Sequence, residues 1–280
     1  MKIMFKIIHL LMICLIMAAC GNDNFPEQSK LGDLRVLAIS ADTPEINSAT
    51  TVTLTPLISF VNGGNTTLNF TWEACPDPGI DFGAEVNCNK SLSTLKQTGS
   101  GSFNTNTLAG SYYTGLTSTI SLTINSAIFT YLSSLDSSLQ FNGVDYLFII
   151  TYTDSTTQKN VQALRRIKLS TKASGDLNTN PSFGGILFNN STLSAYPSSE
   201  GDFLLSGTSS AQTYSKMTNI GSKTFSENMF ISWYSSTGEF LYNRTDIGEK
   251  NTFTPSGTTG VFVAVYRDGR GGVFSRIESF

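Results

Sequence analysis

Histidine is almost absent from this sequence: among its 280 residues the only one is His9. His9 belongs to an N-terminal segment that we predict to be removed from the mature protein. Without an imidazole, the mature chain cannot build a Ser-His-Asp or Cys-His nucleophile, or a zinc site with histidine ligands. These common hydrolase and zinc-enzyme arrangements are therefore excluded for that chain.

Charged side chains are also scarce. They make up 14% of the chain and leave a formal net charge of −3, whereas a soluble globular domain usually carries about 25%. No stripe of Lys and Arg runs along the sequence, so we expect no nucleic-acid partner. Ser, Thr, Asn and 24 Gly residues take the place of charges. This composition favours many short strands and turns over long helices.

The first twenty residues have the pattern of a secretion signal that ends in a cysteine. Lys2 and Lys6 precede an apolar run from Ile7 to Met17, and Ala-Ala-Cys20 follows. The run is too short for a stable membrane-spanning helix. This arrangement resembles the lipobox of bacterial lipoproteins, although Met17 stands where that family usually has leucine.

The resemblance implies a signal peptide at residues 1–19, lipidation of Cys20, and a lipidated tether at residues 20–33. In the sorting rule of such lipoproteins, Gly21 after the cysteine favours the outer membrane. We therefore expect a protein of the bacterial cell envelope that is attached to the membrane through its lipid. The alternatives are an ordinary signal peptide cut nearby, or an uncleaved anchor.

Cysteine is limited to four positions. Cys14 would leave with the signal peptide, so Cys75 and Cys88 remain as the thiols beyond the lipidated one. In an oxidising compartment, two cysteines most simply form one disulfide. A reactive thiol is the weaker alternative, because no basic residue flanks either cysteine to lower its pKa.

The loop between these cysteines contains three carboxylates, Asp77, Asp81 and Glu85. Hard oxygen ligands on a pinned loop are what Ca²⁺ requires, but their spacing matches no EF-hand. We expect solvated acids, no metal and no cofactor, and keep a calcium site at these residues as the alternative.

Alternation of apolar and polar residues starts at Leu34 and predicts β-strands. The predicted strands are LRVLAIS, TVTLTPL, LNFTWEA, VDYLFIITYTD and VQALRRIKLS. They predict an immunoglobulin-like β-sandwich over residues 34–172.

A Ser/Thr-rich stretch interrupts these strands. Apolar residues at helical spacing over 124–139 predict a short helix, with Asn125 or Ser126 as its N-cap. We interpret the region at about 89–140 as an insertion of loop and short helix in the first domain.

A second linker, residues 173–184, precedes seven short candidate strands over residues 185–280. Their spacing is typical of a second immunoglobulin-like sandwich. The predicted fold class is therefore all-β, with two antiparallel immunoglobulin-like β-sandwich domains.

The two predicted domains also resemble each other. Phe70-Thr-Trp72 matches Ile231-Ser-Trp233, and the closing hairpin with Tyr152-Thr-Asp154 matches the one with Tyr266-Arg-Asp268. In the second hairpin, the glycines of DGRGG (268–272) are predicted to supply the positive φ of a tight turn.

Several runs resemble a group of bacterial surface lipoproteins with immunoglobulin-like or PKD-like modules. These runs are LRVLAISADTPEI, FTWEACPDPG, NTNPSF, ISWYSSTGEF and GVFVAVYRDGRGG. The resemblance implies the fold and the anchoring, and it carries over no catalytic residue.

We therefore expect a non-enzymatic envelope lipoprotein that acts as a binding, adhesion or structural module for a protein or glycan ligand. The expected contact region is 75–122, where long loops occur. The alternative is a glycan-binding or carboxylate-dependent glycan-processing protein, because glycosidases need only two acids that flank the scissile bond.

Overall fold

The computed structural model describes residues 28–60, 66–77, 87–89, 93–105, 113–116 and 118–280. These residues form mainly β-strands and two short α-helices, which confirms the all-β prediction. None of the helices in this part of the chain has the length and apolar character needed to span a bilayer. The residues fall into a first half, with strands β1 to β9, and a second half, with strands β10 to β20.

The first half contains two sheets. Its strands are β1 (Arg35–Ala41), β2 (Glu45–Ile46), β3 (Thr50–Phe60), β4 (Thr67–Pro76), β5 (Gln97–Asn104), β6 (Tyr113–Leu116), β7 (Ile120–Ile124), β8 (Val144–Asp154) and β9 (Asn160–Leu169). One sheet has the order β1-β3-β6, with β7 also paired to β3, and the other has the order β2-β9-β8-β4-β5. Pairing is antiparallel except between β2 and β9, which run parallel.

The core of the first half lies between these sheets. Leu54 and Ile58 of β3 join Phe148 and Ile150 of β8 in one buried cluster. Because alternate side chains of each strand point to the same face, period-two patterning places these residues on the inner faces of a sandwich.

The region predicted as an insertion, about 89–140, contributes strands to both sheets. β5 pairs with β4 along its length, and β6 and β7 pair with β3. The prediction that this region is a loop and helix decoration is therefore wrong for β5, β6 and β7. β5 has little apolar content, because its glycines lie under the aromatic rings of β4, whereas β7 does alternate buried and exposed residues.

The helix predicted over 124–139 is divided into two, α1 (Ser126–Ser133) and α2 (Ser137–Asn142). The side chain of Asn125 caps α1 by accepting from the backbone N–H of Ile128 at 3.2 Å. Asp136 caps α2, accepting from the N–H groups of Ser138 and Leu139. This second cap starts a new helix, whereas the spacing of apolar residues alone predicts one continuous helix.

The glycines of β5 make room for aromatic rings of β4. Gly101 lies opposite Phe70, and Gly99 lies opposite Trp72. A Cβ atom at Gly101 would lie 2.5 Å from Cζ of Phe70. The rings therefore cover the backbone of β5, as aromatic residues do across from strand glycines.

We predict that Gly101→Ala lowers the free energy of unfolding by about 1–3 kcal/mol, because the buried Phe70 ring must shift. Gly175→Ala is the matched control, since a Cβ atom there would have no neighbour within 4 Å. Its effect should stay within about 0.5 kcal/mol. Urea unfolding of both variants measures the difference, and equal stabilities would contradict this arrangement.

The second half contains two larger sheets and a separate hairpin. Its strands are β10 (Gly185–Phe188), β11 (Ser191–Thr192), β12 (Gly201–Ser206), β13 (Thr213–Thr218), β14 (Gly221–Ser226), β15 (Phe230–Ser235), β16 (Glu239–Phe240), β17 (Arg244–Asp246), β18 (Asn251–Thr254), β19 (Val261–Arg267) and β20 (Val273–Ser279). The sheets have the orders β11-β10-β12-β18-β16 and β17-β15-β19-β20. Phe203 and Trp233 pack together between the two sheets, with ring centroids 6.1 Å apart.

The hairpin of β13 and β14, residues 213–226, forms a two-stranded sheet of its own. We call it the arm. Its strands were not predicted from the sequence, because β14 is exposed along its whole length and β13 has no buried residue. A strand that buries neither face has no alternation to detect.

The internal similarity predicted from the sequence corresponds to equivalent strand arrangements. Trp72 on β4 lies opposite Ile150 of β8, and Trp233 on β15 lies opposite Ala264 of β19. In each half, the strand that carries tryptophan pairs with the first strand of the closing hairpin. The domain boundaries drawn from the sequence stay predictions.

The last part of the predicted tether, residues 20–33, is in contact with the second half. The backbone N–H of Leu31 donates to the carbonyl of Ser235 at 2.7 Å, and the carbonyl of Ser29 accepts from Ser235 at 2.8 Å. Leu31 is buried. Interpreting residues 28–31 as free tether is therefore wrong; they add a short parallel bridge beside β15.

Candidate functional site: a cationic cleft between the two halves

An apolar contact joins the two halves. Leu37 of β1 and Leu57 of β3 pack against valines of β19 and β20. The participating valines are Val263, Val265 and Val273. Burial of this surface holds the second half on the outer face of the β1-β3 sheet.

A buried ionic network beside this contact is centred on Glu45. Its carboxylate accepts from Nζ of Lys172 at 2.9 Å and from Oγ of Ser170 at 2.8 Å. The other oxygen accepts from the backbone N–H of Asn178 at 3.0 Å and from Nη2 of Arg270 at 2.9 Å. Four donors from distant parts of the chain therefore satisfy one buried carboxylate.

Arg270 belongs to the DGRGG turn between β19 and β20. The positive φ predicted for this turn is confirmed at Gly269 (73°) and Gly271 (116°). The Asp268 carboxylate is fully buried and accepts from the backbone N–H groups of Arg270 and Gly272. The turn is thus built to hold Arg270 in a fixed direction.

The Arg270 side chain connects three segments. Besides Glu45, it donates from Nη1 to Glu227 at 3.1 Å. Its guanidinium also lies 4.1 Å from the ring centroid of Tyr214 on the arm. A tight turn was the role predicted for this loop, and Arg270 in addition ties the second half to the first.

The two carboxylates of this network have opposite pKa shifts. Burial raises the pKa of Glu45, but the hydrogen bonds from Lys172, Ser170 and Asn178 outweigh burial and lower it below its ordinary value. Burial raises the pKa of Glu227 above its ordinary value, with a further contribution from the Asp268 charge. Glu45 is therefore the carboxylate held in its ionised form.

A cleft of about 540 Å³ opens beside this network, between β9, the arm and the DGRGG turn. Six cations and two carboxylates line it: Arg165, Arg166, Lys168, Lys172, Lys216 and Arg270, with Glu45 and Asp145. Its volume is within the range typical of small-ligand sites. The cleft is cationic although the chain as a whole is acidic.

The arm forms one wall of the cleft, and the Asn142 side chain fixes it to the first half. The Asn142 amide at the end of α2 accepts from the backbone N–H of Met217 at 2.7 Å and donates to its carbonyl at 2.8 Å. This pair of bonds mimics a step of strand pairing and holds Lys216 beside the cleft.

Most cations of the lining have carboxylate partners. Arg166 donates to Asp77 at 2.7 Å, and Lys168 pairs with Asp145 at 2.7 Å. Arg165 differs: it is only 7% exposed, and its Nε and Nη2 atoms are buried with no hydrogen-bond partner among the described residues. Burial lowers the pKa of Arg165 to about 10, while Asp268 opposes and Arg267 adds to this shift.

The site residues predicted from the sequence lie elsewhere. The Cys75–Cys88 disulfide is confirmed, with Cα atoms 5.9 Å apart and both residues buried against Leu147 and Ile149. Cys20 lies outside the described residues, so its lipidation stays a prediction.

The calcium hypothesis can be compared with the structure at one of its three residues, Asp77. Asp77 is engaged by Arg166, and Asp81 and Glu85 lie outside the described residues. Within the described ranges, no three His, Cys, Asp or Glu side chains are grouped as metal ligands would be. Much of the expected contact region 75–122 also falls outside those ranges.

The cleft itself was missed, although the sequence contained one signal for it. Residues 165–172, RRIKLSTK, place four basic residues in one short segment of a chain poor in charge. Alternation on β9 separates Arg165 from Arg166, which faces outward. From its sequence pattern, this segment was predicted only as a strand.

Comparison with known proteins assigns no family to this chain. No family model and no curated protein matches the sequence. Among solved structures, a red sea bream transglutaminase aligns with 89% of this chain and 31% of its own, at 8% identity and a TM-score of 0.28. A Salmonella alpha-2-macroglobulin aligns with 92% of this chain and 17% of its own, at 11% identity and the same TM-score. The chain thus spans less than a third of either.

Proposed function

We propose that this chain is a non-enzymatic, lipid-anchored protein of the bacterial cell envelope that binds a ligand in the cationic cleft. The observation that carries the proposal is the cleft itself, fixed between two halves by the ionic network of Glu45 and Arg270. A site whose walls are held by buried contacts is preorganised, which lowers the entropy cost of binding.

The carboxylates of the cleft favour binding over glycan hydrolysis. A glycosidase needs one carboxyl with a raised pKa as acid and a second as base or nucleophile. Glu45 has a lowered pKa and is bound to Lys172 and Arg270, and Asp145 is paired with Lys168. The lining therefore offers no free pair of acids, and glycans remain in the proposal as ligands only.

The lipobox-like N-terminus supports the anchor, and the start of the described chain suggests an orientation. Gln28 lies beside β16, where Asn243 donates to its side chain. The seven residues 21–27 can span at most about 25 Å. A lipid on Cys20 would therefore hold the second half close to the membrane, on the side where Leu241 and Tyr242 are exposed.

The anchor is tested by Cys20→Ala in the full-length chain. We expect the variant to lose labelling with a fatty-acid analogue and to leave the membrane fraction, because its apolar attachment would be gone. Cys14→Ala is the matched control and should behave as the wild type. Membrane retention of Cys20→Ala would contradict the lipid anchor and indicate an uncleaved signal segment.

A further inference from the structure

We propose that Arg165 is the anchor of an oxyanion site at the inner end of the cleft, which binds a carboxylate or phosphate group of the ligand. The inference rests on the proposed binding function and adds the chemistry that the cleft recognises. The carrying observation is the unpartnered guanidinium edge of Arg165 in a buried position.

The free edge has the geometry for a two-oxygen anion. The N–H bonds of Nε and the neighbouring Nη2 run nearly parallel along one side of a guanidinium, and this fork matches the paired oxygens of carboxylate or phosphate. Both of these Arg165 atoms are buried without a partner among the described residues. A buried charged donor left unpaired is costly, so an acceptor brought by a ligand recovers that energy.

No nearby carboxylate is available to take this role. Asp268 attracts Arg165 electrostatically, but its oxygens accept from Gly272, Arg270 and Nδ2 of Asn178. The positive charge of Arg165 is therefore not matched by a hydrogen-bonded anion in the described part of the chain. A site with excess buried positive charge favours an anionic group.

The surroundings add positive charge close to the guanidinium. Arg267 contributes to this charge and is held by Ser232 and the carbonyl of Leu37, each at 2.8 Å. Gly271 of the DGRGG turn lies beside the guanidinium, where an added Cβ would be in ordinary van der Waals contact with Nη2 at 4.0 Å.

Lys216 on the arm adds a second positive charge to the lining of the cleft. Its ammonium lies 5.6 Å from the ring of Tyr214, and no salt bridge to a carboxylate is found for it among the described residues. An acidic ligand whose oxyanion reaches Arg165 would meet this second cation at the mouth of the cleft. We therefore infer an anionic ligand, and exclude neutral sugars as preferred ligands.

The test follows Arg165 directly by NMR of the arginine Nε–H groups in the full mature chain. The Arg165 signal is assigned by its loss in Arg165→Lys. Acetate and phosphate are titrated separately at constant ionic strength with chloride. We expect a saturable shift of this signal with at least one of them, acetate indicating a carboxylate site and phosphate a phosphate site.

Arg244→Met is the matched control, because Arg244 is exposed on β17 and does not line the cleft. It should retain the response, whereas Arg165→Lys should bind the same anion about tenfold or more weakly in thermal-shift titrations, since lysine keeps the charge but lacks the fork. Circular dichroism checks that Arg165→Lys is folded, and the titration of the wild type decides the proposal if it is not.

A signal that stays unchanged with both anions would mean that water satisfies Arg165 and would overturn the proposal. An equal response in Arg165→Lys and the wild type would overturn it as well. Neither result affects the Cys20 experiment, and membrane retention of Cys20→Ala would overturn the anchored function without affecting this site. The two failures are therefore distinguishable.

Discussion

Glu45→Gln is expected to lower the free energy of unfolding by about 3–5 kcal/mol, the largest effect that we predict for a single substitution. The neutral amide would leave the Lys172 ammonium and the Arg270 guanidinium without their buried counter-charge. Removing one partner of a buried ionic network costs more than the network contributes, because the remaining charges stay desolvated. Urea unfolding followed by circular dichroism measures the loss.

The control for this prediction is an exposed ion pair. Asp33 pairs with Lys159 at 3.5 Å, and both side chains are more than half exposed. Asp33→Asn should change stability by at most about 1 kcal/mol, since solvent screens exposed pairs. If Glu45→Gln were no more destabilising than Asp33→Asn, the network around Glu45 would not hold the two halves together.

The same substitution should change the response to acid. The pKa of Glu45 in the folded chain lies below its ordinary value of 4.5, so its stabilising contribution is fully present above about pH 4.5 and is lost as the pH falls through the folded pKa. Glu45→Gln should therefore flatten the loss of stability below pH 4.5. Glu227, whose pKa is raised, acts in the opposite direction and remains unchanged in this variant.

Removal of the Cys75–Cys88 disulfide is the second large effect. The cysteines are 13 residues apart, and closing such a loop stabilises a folded chain by about 3 kcal/mol through the entropy of the unfolded state. The double variant Cys75→Ala/Cys88→Ala should lose this stability. A lower unfolding midpoint in urea or on heating measures it.

Reduction provides an independent comparison for the disulfide. Dithiothreitol should destabilise the wild type toward the level of the double variant and should leave the double variant unchanged. Both cysteines are buried beside Leu147 and Ile149, so reduction is expected to be slow until the chain opens. An unfolding midpoint of the wild type that is insensitive to complete reduction would contradict a stabilising disulfide.

Much of the fold was encoded locally. The strands around Trp72 and Trp233 were predicted because each buries one face and therefore shows alternation in the sequence. The internal match of the closing hairpins was predicted for a related reason. Asp154 and Asp268 are both buried and accept hydrogen bonds from the turns that follow them. Such contacts span few residues, so their residue types suffice to indicate them.

The disulfide also followed from the sequence by counting. With Cys14 and Cys20 assigned to the N-terminal signal, two cysteines remained and had one pairing available. This reasoning needs no geometry, because it depends only on the number of thiols and on the compartment. The assignment of Cys20 itself rests on the lipobox resemblance and stays a prediction.

The strand membership of β5 and β6 was decided only by tertiary structure. Their glycines, serines and threonines show little alternation, and their position depends on the rings and backbone of β3 and β4. β7 does alternate buried and exposed residues, yet its pairing with β3 was not predicted. The arm was missed for the opposite reason, since it buries almost nothing. Local sequence patterns reflect the burial of side chains, so segments that are held by backbone pairing alone leave only a weak pattern.

The cleft depends most strongly on the tertiary structure. Glu45, Lys172, Glu227 and Arg270 are separated by up to 225 positions, yet they form one network. By itself, the sequence determined the all-β class, the repeated tryptophan hairpins and the disulfide, because each leaves a periodic or countable pattern. Only the packing of one half on the other brought these charges together and left Arg165 buried with a free guanidinium edge, since interactions between distant residues depend on where the whole chain places them.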